Sequence, residues 1–359
     1  MKILHIVEDF SVESGGLRTM IKNLDFQLKK IGYSSFILSS KKEQEDSIFL
    51  VETNNKWLYS KNWTPTIDTI VRKHQIEIIH IHGVWLFPQF IGAKYAIKNK
   101  IPFVLSSHGM YQPWLWKKST LKKKLYFNLL SKKSFSRASI IHTITPDETK
   151  NIQKQFKNTL GIEIPNLISL STTKEKQYAA TEKYILYLGR LNKTKGIDLL
   201  IKAFFKLEDK KTKLKIAGAN NAYRKSLESL VSSLGLSTRV EFLGLVKASK
   251  EEWIRNAWLM VSASYSDVIG MVNLEAASFK TPMITTYNVG LKDEWNTNGG
   301  KLIHPNVEEL LKALTEVLNW TLEERNEKGN QLFNFVKQYY SWESRIEDWK
   351  NLYERAIEK

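Results

Sequence analysis

The chain has 359 residues, 42% hydrophobic and 25% charged, a length that suits two domains each able to bury its own core. It holds no cysteine, which excludes disulfides and thiolate metal sites. Its formal charge of +17 implies an anionic partner such as nucleic acid, a membrane face or a phosphorylated substrate, and residues 1–178 carry most of it, with 27 Lys plus Arg against 14 Asp plus Glu.

The opening residues, MKILHIVEDF, give an apolar strand cut short by Glu8 and Asp9, too brief and too polar for a signal peptide. No later stretch nears the roughly 20 apolar residues of a bilayer span, so a cytosolic protein is expected. The polar loop EDFSVESGGLR follows, with Gly15 and Gly16 ahead of a helix, TMIKNLDFQLKKIG, that stops at Gly32. Next come SSFILSS, IEIIHIHG, a helix through FPQFIGAKYAIKNK, then PFVLSSHG, a basic helical tract from about 117 to 137, and SIIHTITP, with Pro165 closing the series. Such alternation describes a mostly parallel sheet covered on both faces.

The stretch SLSTTKEKQYAATEK is polar and poor in bulky apolar residues, as a connection between domains would be. A second alternating series then runs from YILYLGR through GIDLLIKAFFKL, TKLKIAG, VEFLG and MVNLEAASF to VEELLKALTEVLNW. The fold class is therefore α/β, with two Rossmann-like domains at 1–168 and 182–335. Residues 338–359 form an amphipathic helix carrying Trp342, Ile346, Trp349 and Tyr353 at three- and four-residue spacing.

Ligands of such sheets sit beyond the carboxyl ends of the strands, and several residues with useful chemistry fall there. Arg190 and Lys195 flank the loop of YLGRLNKTKGIDLL, two cations beside a helix start that suit a diphosphate; the alternative is a solvated loop. Gly15 and Gly16 can bring backbone amides to a phosphate, or make a plain turn. Asp267 and Glu275, eight residues apart in DVIGMVNLEAASF, can accept hydroxyls of a sugar and a ribose; solvated acids near a helix start are the alternative. His108, in LSSHGM, can donate to a sugar hydroxyl or phosphate oxygen, whereas His5, His80 and His82, in or beside strands, read as structural. In KKSTLKKKLYFNLLSKK seven lysines and no acids surround an apolar stripe, composition shared by a surface resting on anionic lipid and by an ordinary half-buried helix.

Taken in order, the glycine loop at Gly15 and Gly16, SSHG around His108, IPN at 164–166, GRLNKTKG from Gly189, AG at Ala217 and Gly218, and DVIGMVNLEAASFKTPMIT resemble one family. It is the retaining, nucleotide-sugar-dependent glycosyltransferases of the GT-B fold, glycosyl transferases group 1 or family 4. The resemblance implies two Rossmann-like domains whose parallel sheets face a deep cleft, with the terminal helix returning to the first domain. It implies that Glu275 holds the ribose hydroxyls, that Asp267 lies near the donor sugar, and that Arg190 and Lys195 neutralise the diphosphate. Gly16 would lie close to the diphosphate and His108 beside the transferred sugar, while backbone near Val268, Ile269, Gly270 and Met271 completes the sugar pocket. Asp267 stands where the family has glutamate, Ile269 where it has phenylalanine, and Leu167 where it commonly has glycine.

The resemblance further implies a donor of UDP or GDP type, no cofactor and no metal, and a glycan or lipid-linked acceptor in cell-surface polysaccharide or glycolipid synthesis. With it go a peripheral position on the inner face of a membrane through residues 117–133, and no specific nucleic acid. The competing readings are a nucleotide-sugar epimerase or phosphorylase on the same scaffold, and a noncatalytic glycan or nucleic-acid binder.

Overall fold

The computed structural model describes residues 1–11, 14–41, 48–113, 116, 120–157, 159–170, 182–246 and 249–359. Lys117 and Lys118 of the basic tract and most of the polar connection lie outside them. The chain divides into two compact units, Met1–Asn166 with Arg345–Lys359, and Leu167–Ser344.

In the first unit, strands β1 (Lys2–Ile6), β2 (Ser34–Ser39), β3 (Ile48–Leu50), β4 (Ile78–His82), β5 (Phe103–Ser106), β6 (Ile140–Thr143) and β7 (Leu160–Glu163) form one sheet. Their order is β3-β2-β1-β4-β5-β6-β7 and neighbours run parallel. The order reverses between β1 and β4, the switch point at which a doubly wound sheet takes ligands. Strand β4 is buried along its whole length, as a parallel strand covered on both faces must be. Helices α1 (Gly16–Lys30), α2 (Trp63–His74), α3 (Phe87–Asn99), α4 (Thr120–Tyr126) and α5 (Pro146–Gln155) cover it.

Helix α1 begins at Gly16, three residues ahead of the expected Thr19, and turns Met20, Ile21, Leu24 and Leu28 inward. The basic tract departs from one continuous helix, because α4 passes into a π-helical turn at Phe127–Ser131. That turn buries Phe127 and leaves Leu121, Leu125 and Leu129 outside, at 72%, 51% and 75% exposure.

The second unit repeats the scheme with β8 (Tyr184–Leu188), β9 (Lys213–Ala217), β10 (Val240–Gly244), β11 (Leu259–Ser262), β12 (Met283–Thr286) and β13 (Lys301–Ile303). Its parallel order is β10-β9-β8-β11-β12-β13, with the reversal between β8 and β11. Around it lie α6 (Ile197–Lys206), α7 (Ala222–Ser233), α8 (Lys250–Arg255), α9 (Met271–Ser278), α10 (Val307–Leu318) and α11 (Leu322–Tyr339). The last helix, α12 (Trp342–Ile357), packs largely with the first unit. Trp349, Leu352, Tyr353 and Ala356 are buried, and the Trp349 ring lies 4.6 Å from that of His142.

Candidate active site

The loop leaving β8 in the second unit is folded by short-range chemistry. Tyr187, at the end of the strand, donates its hydroxyl to the Arg190 carbonyl at 2.8 Å, and Leu191 is buried. Asn192 caps a single 3-10 turn, Lys193–Lys195, by accepting from the Thr194 amide. Gly196 then takes a left-handed conformation, φ 64°, and a Cβ there would run into the Ala263 carbonyl. Only glycine lets this loop lie on the end of β11, where the Tyr265 amide also donates to the Thr194 carbonyl at 2.9 Å. Gly218 likewise has a packing task, since a Cβ on it would meet the Gly189 carbonyl and the Leu191 side chain.

The result brings two predicted residues together across the switch point. Lys195 Nζ lies 2.5 Å from Asp267 Oδ2, with the side chains 18% and 23% exposed. Arg190, on the same loop, is exposed. Burial first, and the neighbouring Asp267 carboxylate second, raise the Tyr187 hydroxyl far above its ordinary value, so Tyr187 stays a neutral donor.

Asp267 opens the turn into α9. Its Oδ1 accepts from the Val268 amide at 3.0 Å, and the Ile269 amide donates to the Val289 carbonyl at 2.7 Å, so both amides are committed within the protein. Ile269 holds φ 37°, a conformation that a β-branched residue rarely adopts. Gly270 caps α9 without a side chain, its carbonyl accepting from the Asn273 amide at 3.0 Å. Glu275, on α9, pairs with Lys250 Nζ of α8 at 2.6 Å. Asn273, two residues before Glu275 and 1% exposed, leaves both its Oδ1 and Nδ2 buried without a partner among the described residues. Lys250 and Asn273 were not anticipated from sequence; only the chain's folding brings Lys250 to Glu275.

In the first unit, Gly15 has φ 69°, no atom of the described residues lies within 4 Å of where its Cβ would stand, and it precedes the start of α1, which has no side-chain cap among them. His108 follows β5 at φ 49°, left-handed and not glycine. Its flanks are pinned by buried Glu148 of α5: the Ser107 hydroxyl and Gly109 amide donate to Oε1 at 2.5 and 2.6 Å, and the Ile144 amide to Oε2 at 2.8 Å. Burial raises the Glu148 carboxyl while those three hydrogen bonds pull it back. Glu8, at the end of β1, accepts from Gln89 Nε2 and is pushed up to about 7 by burial.

Buried histidines meet at the same end of the sheet because register aligns them: His5 pairs with His80, His82 with Ser106, and Ser106 with His142. His5, His80 and His82 offer ring nitrogens within 4.8 Å of one another. Both nitrogens of His80 and of His82 are already engaged in hydrogen bonds, so in this arrangement the group is a hydrogen-bonded network.

Comparison with known proteins adds the family. Residues 14–171 match the glycosyltransferase family 4 model and residues 171–332 that of glycosyl transferases group 1. An uncharacterized glycosyltransferase of Methanocaldococcus jannaschii is 33% identical over 182 residues, 49% of this chain and 46% of that protein, so the match spans about half the length of this curated relative. The structure of Anabaena HepE in complex with UDP-glucose superposes with a TM-score of 0.80 at 16% identity, covering 99% of this chain and 100% of that one. Sucrose-phosphate synthase from Thermosynechococcus elongatus gives 0.79 at 18% identity, covering 99% and 98%. Two sheets wound in the same order and two adjoining family matches make one statement: the chain belongs to the GT-B fold glycosyltransferases of group 1 and family 4.

Proposed function

We propose that the chain is a retaining glycosyltransferase moving a hexosyl group from a nucleoside-diphosphate sugar, of UDP or GDP type, to a hydroxyl of a glycan or lipid-linked acceptor. The observation that carries this reading is the meeting of Lys195 and Asp267 across the switch point of the second sheet, beside Arg190. A diphosphate takes the two cations, and the sugar it carries offers hydroxyls to the Asp267 carboxylate. Glu275, on the helix that Asp267 leads into, accepts the ribose diol, with Lys250 as its partner until the nucleotide arrives.

In the reaction the bond from the anomeric carbon to the β-phosphate oxygen breaks, and the acceptor oxygen bonds that carbon on the face just vacated. The acceptor proton passes to an oxygen of the departing diphosphate, whose growing charge Arg190 and Lys195 stabilise. Incubation with a panel of nucleotide sugars and acceptor glycans, followed by proton NMR, tests this. The expected product keeps the donor's anomeric configuration; an inverted product, or turnover that requires free phosphate, contradicts it.

The same reading sets the enzyme on the cytoplasmic face of a membrane, within polysaccharide or glycolipid synthesis. Its support is Leu121, Leu125 and Leu129, exposed at four-residue spacing among Lys122, Lys124, Lys132 and Lys133. Among the described residues no helix is long and apolar enough to cross a bilayer.

A further inference from the structure

Two chains of hydrogen bonds run through the histidines of the first unit, and the polarity of each can be worked out atom by atom. The Ile164 carbonyl can only accept, so His142 Nε2, 2.8 Å away, carries a hydrogen. In the neutral ring His142 Nδ1 is then an acceptor and takes the Ser106 hydroxyl hydrogen at 2.7 Å. The Ser106 oxygen accepts in turn from His80 Nε2 at 2.6 Å, which leaves His80 Nδ1 to accept from the Tyr353 hydroxyl at 2.7 Å. Every bond in this chain has one possible direction.

The other chain joins His5 Nδ1 to His82 Nε2 at 2.9 Å and His82 Nδ1 to His108 Nε2 at 3.0 Å. His5 and His82 are fully buried, and burial lowers His5 to about 4, His108 to about 3 and His82 well below its ordinary value, so all three rings are neutral near pH 7. Two polarities satisfy both bonds. If hydrogens point toward His5, its Nε2 must be an N–H, and that atom is buried without a partner among the described residues. If they point toward His108, the same atom is only a lone pair. An orphaned buried N–H is the rarer and more unfavourable of the two, so the second polarity is favoured. His108 Nε2 then accepts, and its hydrogen sits on Nδ1, which has no partner among the described residues.

We propose that His5 and His82 are positioning residues that fix His108 as the Nδ1–H tautomer, a neutral hydrogen-bond donor to an oxygen of a ligand at the carboxyl end of the first sheet and not a general base. To act as a base His108 would need a bare Nδ1, which reverses both bonds and returns the orphaned N–H to His5. The inference rests on the proposed function, with the carboxyl end of the first sheet as a substrate site, but the tautomer can be measured with no substrate present.

Long-range proton–nitrogen NMR on the full chain, with ¹⁵N-labelled histidine at pH 7.5, reads the tautomers directly, and loss of one ring's signals in His108→Asn assigns His108. The expected spectrum has hydrogen on Nδ1 and a bare Nε2 for His5, His82 and His108 alike. Hydrogen on Nε2 of His108, or on both of its nitrogens, overturns the proposal. His5→Leu should convert the single His108 tautomer into a mixture, and an unchanged spectrum in that folded variant would remove His5 from the role. In turnover, an asparagine amide can stand in for Nδ1–H and a glutamine amide for Nε2–H, so His108→Asn should keep about tenfold more kcat than His108→Gln, the scale of one hydrogen bond. Equal losses, or the reverse order, overturn the donor role. If no nucleotide sugar turns over at all, the functional reading fails while the NMR result still decides the tautomer.

Discussion

Buried titratable side chains give the first unit a pH dependence whose sign can be fixed residue by residue. Burial holds His5 and His142 near 4 and His108 near 3, and keeps His80 and His82 well below 6.5. The unfolded chain protonates these rings near 6.5 while the folded one does not, so stability present above that pH is lost as pH falls toward 4. Glu8 runs the other way. Its carboxyl, ordinarily at 4.5, is raised to about 7, so the folded state keeps a proton that the unfolded state releases, and stability falls as pH rises between those values. Each group can contribute a slope of at most about 1.4 kcal/mol per pH unit, and five histidines oppose Glu8 and Glu148. Denaturant midpoints should therefore climb from pH 5 to about 6.5, and Glu8→Gln should be stabilising relative to wild type at pH 7.5 and not at pH 5. A midpoint that drops between pH 5 and 6.5 would show that the histidines are not neutral in the fold.

Among the elements, the basic tract is where local structure decides between two uses of one composition. A regular helix would carry its apolar residues on a single inward stripe. The π-helical turn at Phe127–Ser131 instead keeps Phe127 inside and turns Leu129 out in line with Leu121 and Leu125. Lys123 is drawn over the Trp85 ring, 5.1 Å from its centroid, while Lys122 and Lys124 are exposed. Three leucines and their neighbouring lysines make a surface that suits acyl chains below and anionic head groups around them. Replacing Leu125 and Leu129 with serine, and Lys122 and Lys124 with glutamine, should release the protein from anionic vesicles in sedimentation. It should also lower turnover on a lipid-linked acceptor more than on a soluble analogue. Equal vesicle binding by the folded variant and wild type would leave the tract as an ordinary half-buried helix.

For the molecule as a whole, the alternation of strands and helices was legible because parallel strands buried on both faces are short apolar runs and the helices between them keep a 3.6-residue period. The loop after β8 was legible too, since Arg190, Lys195 and Gly196 act within a few residues of one another. Partners contributed by separate elements were hidden. Lys250 meets Glu275 from 25 residues away, and the histidine chains depend on the register of four strands, which no single stretch of sequence encodes. Asn273 looked like any polar residue on a helix until its amide proved buried and unpartnered among the described residues.

If the loop after β8 and the start of α9 hold a nucleoside-diphosphate sugar, calorimetric titration will register it. Nucleoside diphosphates and their sugars would be titrated into wild type, Arg190→Ala, Lys195→Ala and Asp267→Asn. One nucleoside diphosphate should bind wild type, and each alanine variant should lose about 1.5 to 3 kcal/mol of that binding, the worth of a charge-assisted hydrogen bond. Asp267→Asn should bind the bare diphosphate at least as tightly, because a competing anion beside Lys195 is gone, yet lose affinity for the sugar-bearing form. Failure of every nucleoside diphosphate to bind, or wild-type affinity in both alanine variants, would contradict it.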